Sequence, residues 1–148
     1  MSGNVKKKTF SMFFDVTSLA GGGANIYTNI ISRPFNDNVE VLKMFYSLST
    51  IGGLPNTIPE IQVVLSEAEL KYETWTSQKN EDFSQIIHHN WLSELPINKE
   101  VQFEENPDVN FWDRLFFNLM VINNDAGAFS KVIKAHFTFY YQYKGGRF

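Results

Sequence analysis

Hydrophobic side chains recur at every second position through much of this chain, which is the period of a β-strand with one buried face. Phe10, Met12, Phe14 and Val16 fall on one side of a first segment, with Thr9, Ser11 and Asp15 on the other; Phe13 breaks the rule. Gly21, Gly22 and Gly23 then interrupt it. A mixed segment over Asn25–Ser32 ends at Arg33-Pro34, because proline restricts the residue before it and brings no donor to a ladder. Val39–Ser49 places Leu42, Met44, Tyr46 and Leu48 on one face, and Ile58–Ser66 carries Ile61, Val63 and Leu65. Leu70–Thr76 and Glu100–Glu105 read as shorter strands.

The clearest alternation closes the chain. Leu115, Phe117, Leu119 and Val121 share one face of Arg114–Asn123. In Lys131–Lys144, Ile133, Ala135, Phe137, Phe139, Tyr141 and Tyr143 share one face, and Lys134, His136, Thr138, Tyr140, Gln142 and Lys144 the other. With Asn124, Asp125 and Gly127 between them, these two segments predict a long antiparallel hairpin. Residues 81–95 differ: Phe83, Ile86, Ile87, Asn90, Trp91 and Leu95 recur every three or four positions, which predicts a short helix ended by Pro96, with a strand through Ile86 as the rival.

Seven to eight strands with polar turns between them predict an all-β chain, an antiparallel two-sheet β-sandwich or a barrel, with one short helix. The 148 residues suit one domain, divided here into a short basic arm over 1–9 and a sandwich over 10–148. The 14 Phe, 6 Tyr and 3 Trp suit pleated, half-buried surfaces. The absence of cysteine excludes disulfides and thiolate metal sites. The longest apolar run, Phe116–Ile122, is interrupted by Asn118 and is far too short for a spanning helix. The stretch after Lys6–Lys8 is also a poor secretory signal, since it alternates and contains Asp15.

Charge is unevenly spread. Residues 1–36 balance to +3 (four basic, one acidic), residues 37–113 to −10 (four basic, 14 acidic) and residues 114–148 to +4 (five basic, one acidic).

No constellation argues for catalysis, a cofactor or a metal. His88 and His89 are adjacent, so they point about 100° apart on a helix and to opposite faces on a strand, and do not readily share one ion; His136 is remote. Gly21–Gly23 lack the Lys-Ser or Lys-Thr pair of a phosphate loop, and no serine sits in a nucleophile elbow. Glu67 and Glu69 read as a solvated edge. Glu104, Glu105, Asp108 and Asp113 gather carboxylates around a turn without the spacing of a calcium loop. The chain reads as non-enzymatic.

A Lys-bearing lead-in to an aromatic first strand (Lys6–Val16), a mid-chain helical stretch and a last strand reading His136-Phe137-Thr138-Phe139-Tyr140-Tyr141-Gln142-Tyr143-Lys144-Gly145 together resemble viral single jelly-roll capsid proteins. The resemblance implies a jelly-roll-like β-sandwich and a virion protein that assembles with itself and with other capsid proteins. The chain is short for a main coat protein and its arm weakly basic, which points to a minor or vertex subunit. It also implies that first and last strands lie side by side, gathering the basic ends opposite the acidic middle. Phe13, Trp112, Tyr140 and Phe148 are the candidate subunit contacts, and Lys6, Lys7, Lys8, Lys144 and Arg147 the candidate residues facing nucleic acid or a membrane. A carbohydrate-binding sandwich that stacks sugars on Trp75, Trp91 and Trp112, or a phage tail or decoration protein, is the alternative.

Overall fold

The computed structural model describes residues 5–18, 23–51, 59–67, 69, 86–92, 95–103, 105–110, 113–123 and 129–144. They form nine strands: β1 (Lys6–Ser18), β2 (Gly23–Ser32), β3 (Val39–Thr50), β4 (Glu60–Ser66), β5 (Ile86–Leu92), β6 (Ile97–Gln102), β7 (Asp108–Val109), β8 (Arg114–Asn123) and β9 (Phe129–Tyr143). One sheet has the order β1-β9-β3-β6, with β7 also paired to β3; the other has the order β2-β8-β4-β5. All pairings are antiparallel. Setting the two-residue β7 aside, successive strands alternate between two four-stranded sheets except at β4 and β5, which pair with each other, and this is the strand order of a jelly roll.

The core lies where the inner faces meet. β1 contributes Phe10, Met12, Phe14 and Val16, and β9 contributes Ile133, Ala135, Phe137, Phe139 and Tyr141, as their alternation requires. Leu115, Phe117, Leu119 and Val121 of β8 pack against them with Ile61, Val63 and Leu65 of β4. Phe35, in the loop after Pro34, plugs one end: its ring meets Phe10 at 6.1 Å, Phe139 at 6.0 Å and Tyr141 at 4.7 Å. Arg33 enters that loop with φ of 51°, a left-handed turn uncommon for a side chain with a Cβ, and its N–H donates to Asp113 O at 3.0 Å.

Four expectations are corrected. β8 and β9 do not form a hairpin: β8 pairs with β2 and β4, and β9 pairs with β1 and β3. Each has an apolar face, and both are buried by placing the strands in opposite sheets rather than side by side. Residues 86–92 are strand, not helix, because β5 completes the ladder of β4 with Ile61 opposite Leu92 and Val63 opposite Asn90; pairing overrides a three-to-four spacing that a short segment carries only weakly. Among the described residues there is no helix. β1 begins at Lys6, so the lysines assigned to an arm over 1–9 are strand residues. Leu42 does not share the face of Met44, Tyr46 and Leu48: a bulge between Val41 and Lys43 sets it out of register and puts Val39 and Val41 in the core. The proposed strand over 70–76 lies outside the described residues.

The outer faces differ. On the four-stranded sheet, Gln62, Val64, Ser66, Phe116, Asn118 and Met120 point away from the core yet are buried. Asn118 is the hub of that face: Thr28 Oγ1 donates to its Oδ1 at 2.8 Å, and its Nδ2 donates to Val64 O at 2.9 Å and Ser66 Oγ at 3.1 Å. Asn118→Ala is expected to cost about 1–3 kcal/mol, since it leaves buried partners unpaired; urea denaturation measures this, and a loss below a few tenths would show the network to be dispensable.

Candidate functional site

The outer face of the five-stranded sheet is open. Its strands align side chains in rows: Lys7, Tyr140, Lys43 and Gln102; Thr9, Thr138, Phe45 and Glu100; Ser11, His136, Ser47 and Asn98; Phe13, Lys134 and Ser49. Hydroxyl pairs hold the middle, with Thr9 and Thr138 Oγ1 atoms 2.8 Å apart and Ser11 Oγ bonded to His136 Nδ1 at 2.6 Å. Apolar side chains stand at both ends. Phe13 is 57% exposed and Ile51 52%, with half-buried Val132 between their strands. Phe45, 37% exposed, meets the half-buried Tyr140 at 6.3 Å, and the Lys43 ammonium lies 5.0 Å from the Tyr140 ring and 3.5 Å from Glu100.

Of the expected contact residues, Phe13 and Tyr140 are therefore brought to one face, while Trp112 and Phe148 lie outside the described residues. Phe45 and Ile51 belong to the same surface and were missed. Phe45 follows an apolar run of mixed parity, and only the bulge decides that it points outward. The Phe45 and Tyr140 planes cross at 63°, which is not the coplanar platform that stacks a sugar. Trp91 is exposed on the opposite sheet, and Trp75 and Trp112 lie outside the described residues.

The basic ends do come together, since β1 and β9 pair with Lys6 opposite Tyr141 and Lys8 opposite Phe139. They do not form a bare cationic surface. Lys8 Nζ donates to Pro34 O and lies 5.2 Å from the Phe10 ring, so it pins the loop that carries Phe35. Lys6 sits 5.6 Å from the Tyr143 ring. Lys144 is bonded to Asp108 at 2.9 Å. Glu40 accepts from Asn106 and Gln142, and these bonds, with the Lys144 charge, hold its carboxyl below the usual carboxylate range. Two carboxylates of the acidic middle, Glu40 and Asp108, thus lie against the basic ends. Lys7 is exposed; Arg147 lies outside the described residues.

Among the described residues the carboxylates around residue 105 do not converge on a common point: Asp108 faces Lys144, and Asp113 Oδ2 accepts from Asn110 N–H. Burial, then the neighbouring Asp113, pushes the Glu67 carboxyl up.

A second feature lies where β5 and β6, the edges of the two sheets, flank an open cleft of about 640 Å³. Ile87, His88, His89 and Asn90 line one side, and Lys99, Glu100, Val101, Gln102 and Phe103, with Glu105, the other. The adjacent histidines diverge as a strand demands. His88 turns toward the Tyr46 ring, 6.0 Å away, and its buried Nε2 has no hydrogen-bond partner among the described residues; His89 Nδ1 meets Gln62 on the outer face at 3.3 Å. Asn90 Nδ2 donates to the buried Tyr46 hydroxyl at 3.3 Å.

No known protein family matches the chain, and neither does any curated protein. Among solved structures, a chain of turnip yellow mosaic virus is similar at 11% identity, with 97% of this chain and 95% of that one covered and a TM-score of 0.44. Desmodium yellow mottle tymovirus follows at 9% identity over 100% and 94%, with a TM-score of 0.31. A carbohydrate-binding module of the β-sandwich superfamily matches at 13% identity over 90% of this chain and 54% of that one, with a TM-score of 0.40. These are weak likenesses of fold, capsid-like among them, and the jelly-roll description rests on the strand order above.

Proposed function

We propose that this chain is a structural subunit of a virus capsid, a minor or vertex subunit rather than the main coat protein, and that it works by self-assembly. The supporting observation is the set of apolar side chains left exposed on the outer face of the five-stranded sheet: Phe13, Phe45 and Ile51, with Tyr140 beside them. Large apolar groups gathered on one open face mark a contact surface, and aromatic anchors dominate such contacts. The hydroxyl and lysine rows between them supply the polar complement of an interface.

Multi-angle light scattering across a concentration series tests this. The wild-type protein is expected to form a defined oligomer, and Phe13→Ser with Phe45→Thr to weaken it by about tenfold or more while leaving the thermal midpoint unchanged. A wild-type chain that stays monomeric at every concentration, or an oligomer indifferent to both substitutions, refutes the proposal.

A further inference from the structure

The β5–β6 cleft has a chemistry that assembly does not use. Its volume of about 640 Å³ falls in the range of small-ligand sites, roughly 300–1,000 Å³. The two sides of the sandwich are built differently. Where β1 and β2 meet, Asn29 Nδ2 donates to Phe13 O at 2.9 Å and the Tyr27 hydroxyl to Thr17 O at 2.6 Å, so side chains bridge the two sheet edges. Between β5 and β6 the edges flank a gap instead.

The lining offers donors and acceptors together: the His88 imidazole, amides from Asn90 and Gln102, the Lys99 ammonium and the Glu105 carboxylate. Glu100 already faces Lys43 at 3.5 Å and accepts from Gln102 at 3.2 Å, so Lys99 and Glu105 leave the cleft with no net charge to select an anion or a cation. Ile87, Val101 and Phe103 add an apolar wall. Lys99 shares the inward-facing parity of Val101 on the edge strand, a placement that opposes the addition of a further strand. An uncharged ligand rich in hydroxyls, with C–H faces for the apolar wall, answers every one of these features.

We propose that the β5–β6 cleft binds a neutral oligosaccharide, whose hydroxyls accept from Asn90, Lys99 and Gln102 and donate to Glu105, against the Phe103 ring. The cleft adjoins the assembly face along Glu100 and Gln102 but uses none of its apolar anchors, and the proposal stands whether or not the chain forms a capsid.

Nuclear magnetic resonance titration of the isotope-labelled full chain with cellotetraose, xylotetraose, maltotetraose and chitotetraose tests it. At least one sugar is expected to shift amide resonances of Ile87–Asn90 and Lys99–Phe103, with a dissociation constant on the order of 0.1–1 mM. Gln102→Ala and Glu105→Ala, both at exposed rim positions, should each weaken it by about tenfold with unchanged circular dichroism; Asn90→Ala adds a third arm if it folds. Silence from all four sugars at about 10 mM overturns the proposal. So do shifts confined to Trp91 and Gln62 on the outer face, or a cleft that answers a Thr-Val pentapeptide and no sugar.

Discussion

Phe117→Ala is expected to destabilise the domain by about 3–5 kcal/mol, the range for truncating a buried aromatic. Its side chain is fully buried at the centre of the sandwich, where its ring meets Phe137 at 4.7 Å, Phe10 at 6.0 Å and Phe139 at 6.3 Å. The substitution removes apolar contact area, leaves a cavity that paired sheets cannot collapse into, and breaks three ring contacts that bind the sheets to one another. For a domain of this size the thermal midpoint should fall by roughly 6–20 °C. Phe13→Ala, on the open face, should change stability by no more than about 0.5 kcal/mol. Denaturant unfolding of both variants decides the matter: equal losses would mean that Phe117 does not join the two sheets.

The second large effect is acid sensitivity at His88. Burial first, then the His89 and Lys99 charges, hold its imidazole down to about 4, against 6.5 when exposed. The unfolded chain therefore binds a proton at a pH where the folded chain does not. Stability is complete above about pH 6.5, is lost as pH falls toward 4, and is not lost further by this group below that. With allowance for screening by solvent at this partly open edge, the loss is about 1–2 kcal/mol. Glu67 acts in the opposite sense, since its raised carboxyl favours folding as pH falls toward the acidic side, so the comparison that isolates His88 is wild type against His88→Phe. Unfolding free energies at pH 7 and pH 4.5 should differ less in the variant; an identical pH dependence in both proteins would rule out His88 as the acid-sensitive group.

Fold class was legible because strands write it in period two. The buried residues Phe10, Met12, Phe14 and Val16 of β1, and Ile133, Ala135, Phe137, Phe139 and Tyr141 of β9, follow from parity. Pairing was less legible. The spacing of β8 and β9 is that of a hairpin, and nothing local tells a strand that its neighbour in sequence will cross to the other sheet. Within the helix expected at 81–95, residues 86–92 are strand for a related reason, since the demand for a partner at the edge of β4 comes from a distant part of the sequence. The contact face was half legible. Phe13 announces itself as an apolar residue on a polar parity, whereas Phe45 is re-aimed by a bulge that the sequence does not mark. The cleft left no trace at all: its residues come from two strands that never pair, and ordinary side chains acquire meaning there only by proximity.

The neighbours of β9 also set the order in which this protein can be made. The two strands flanking it, β1 and β3, are synthesised first and share no hydrogen bonds with each other; each gains its long ladder only when the closing segment threads between them. Half the sandwich thus stays an open template during synthesis, and closing a loop of more than a hundred residues makes folding slow. A chaperone that shields exposed backbone would find its longest-lived client surface on β1 and β3.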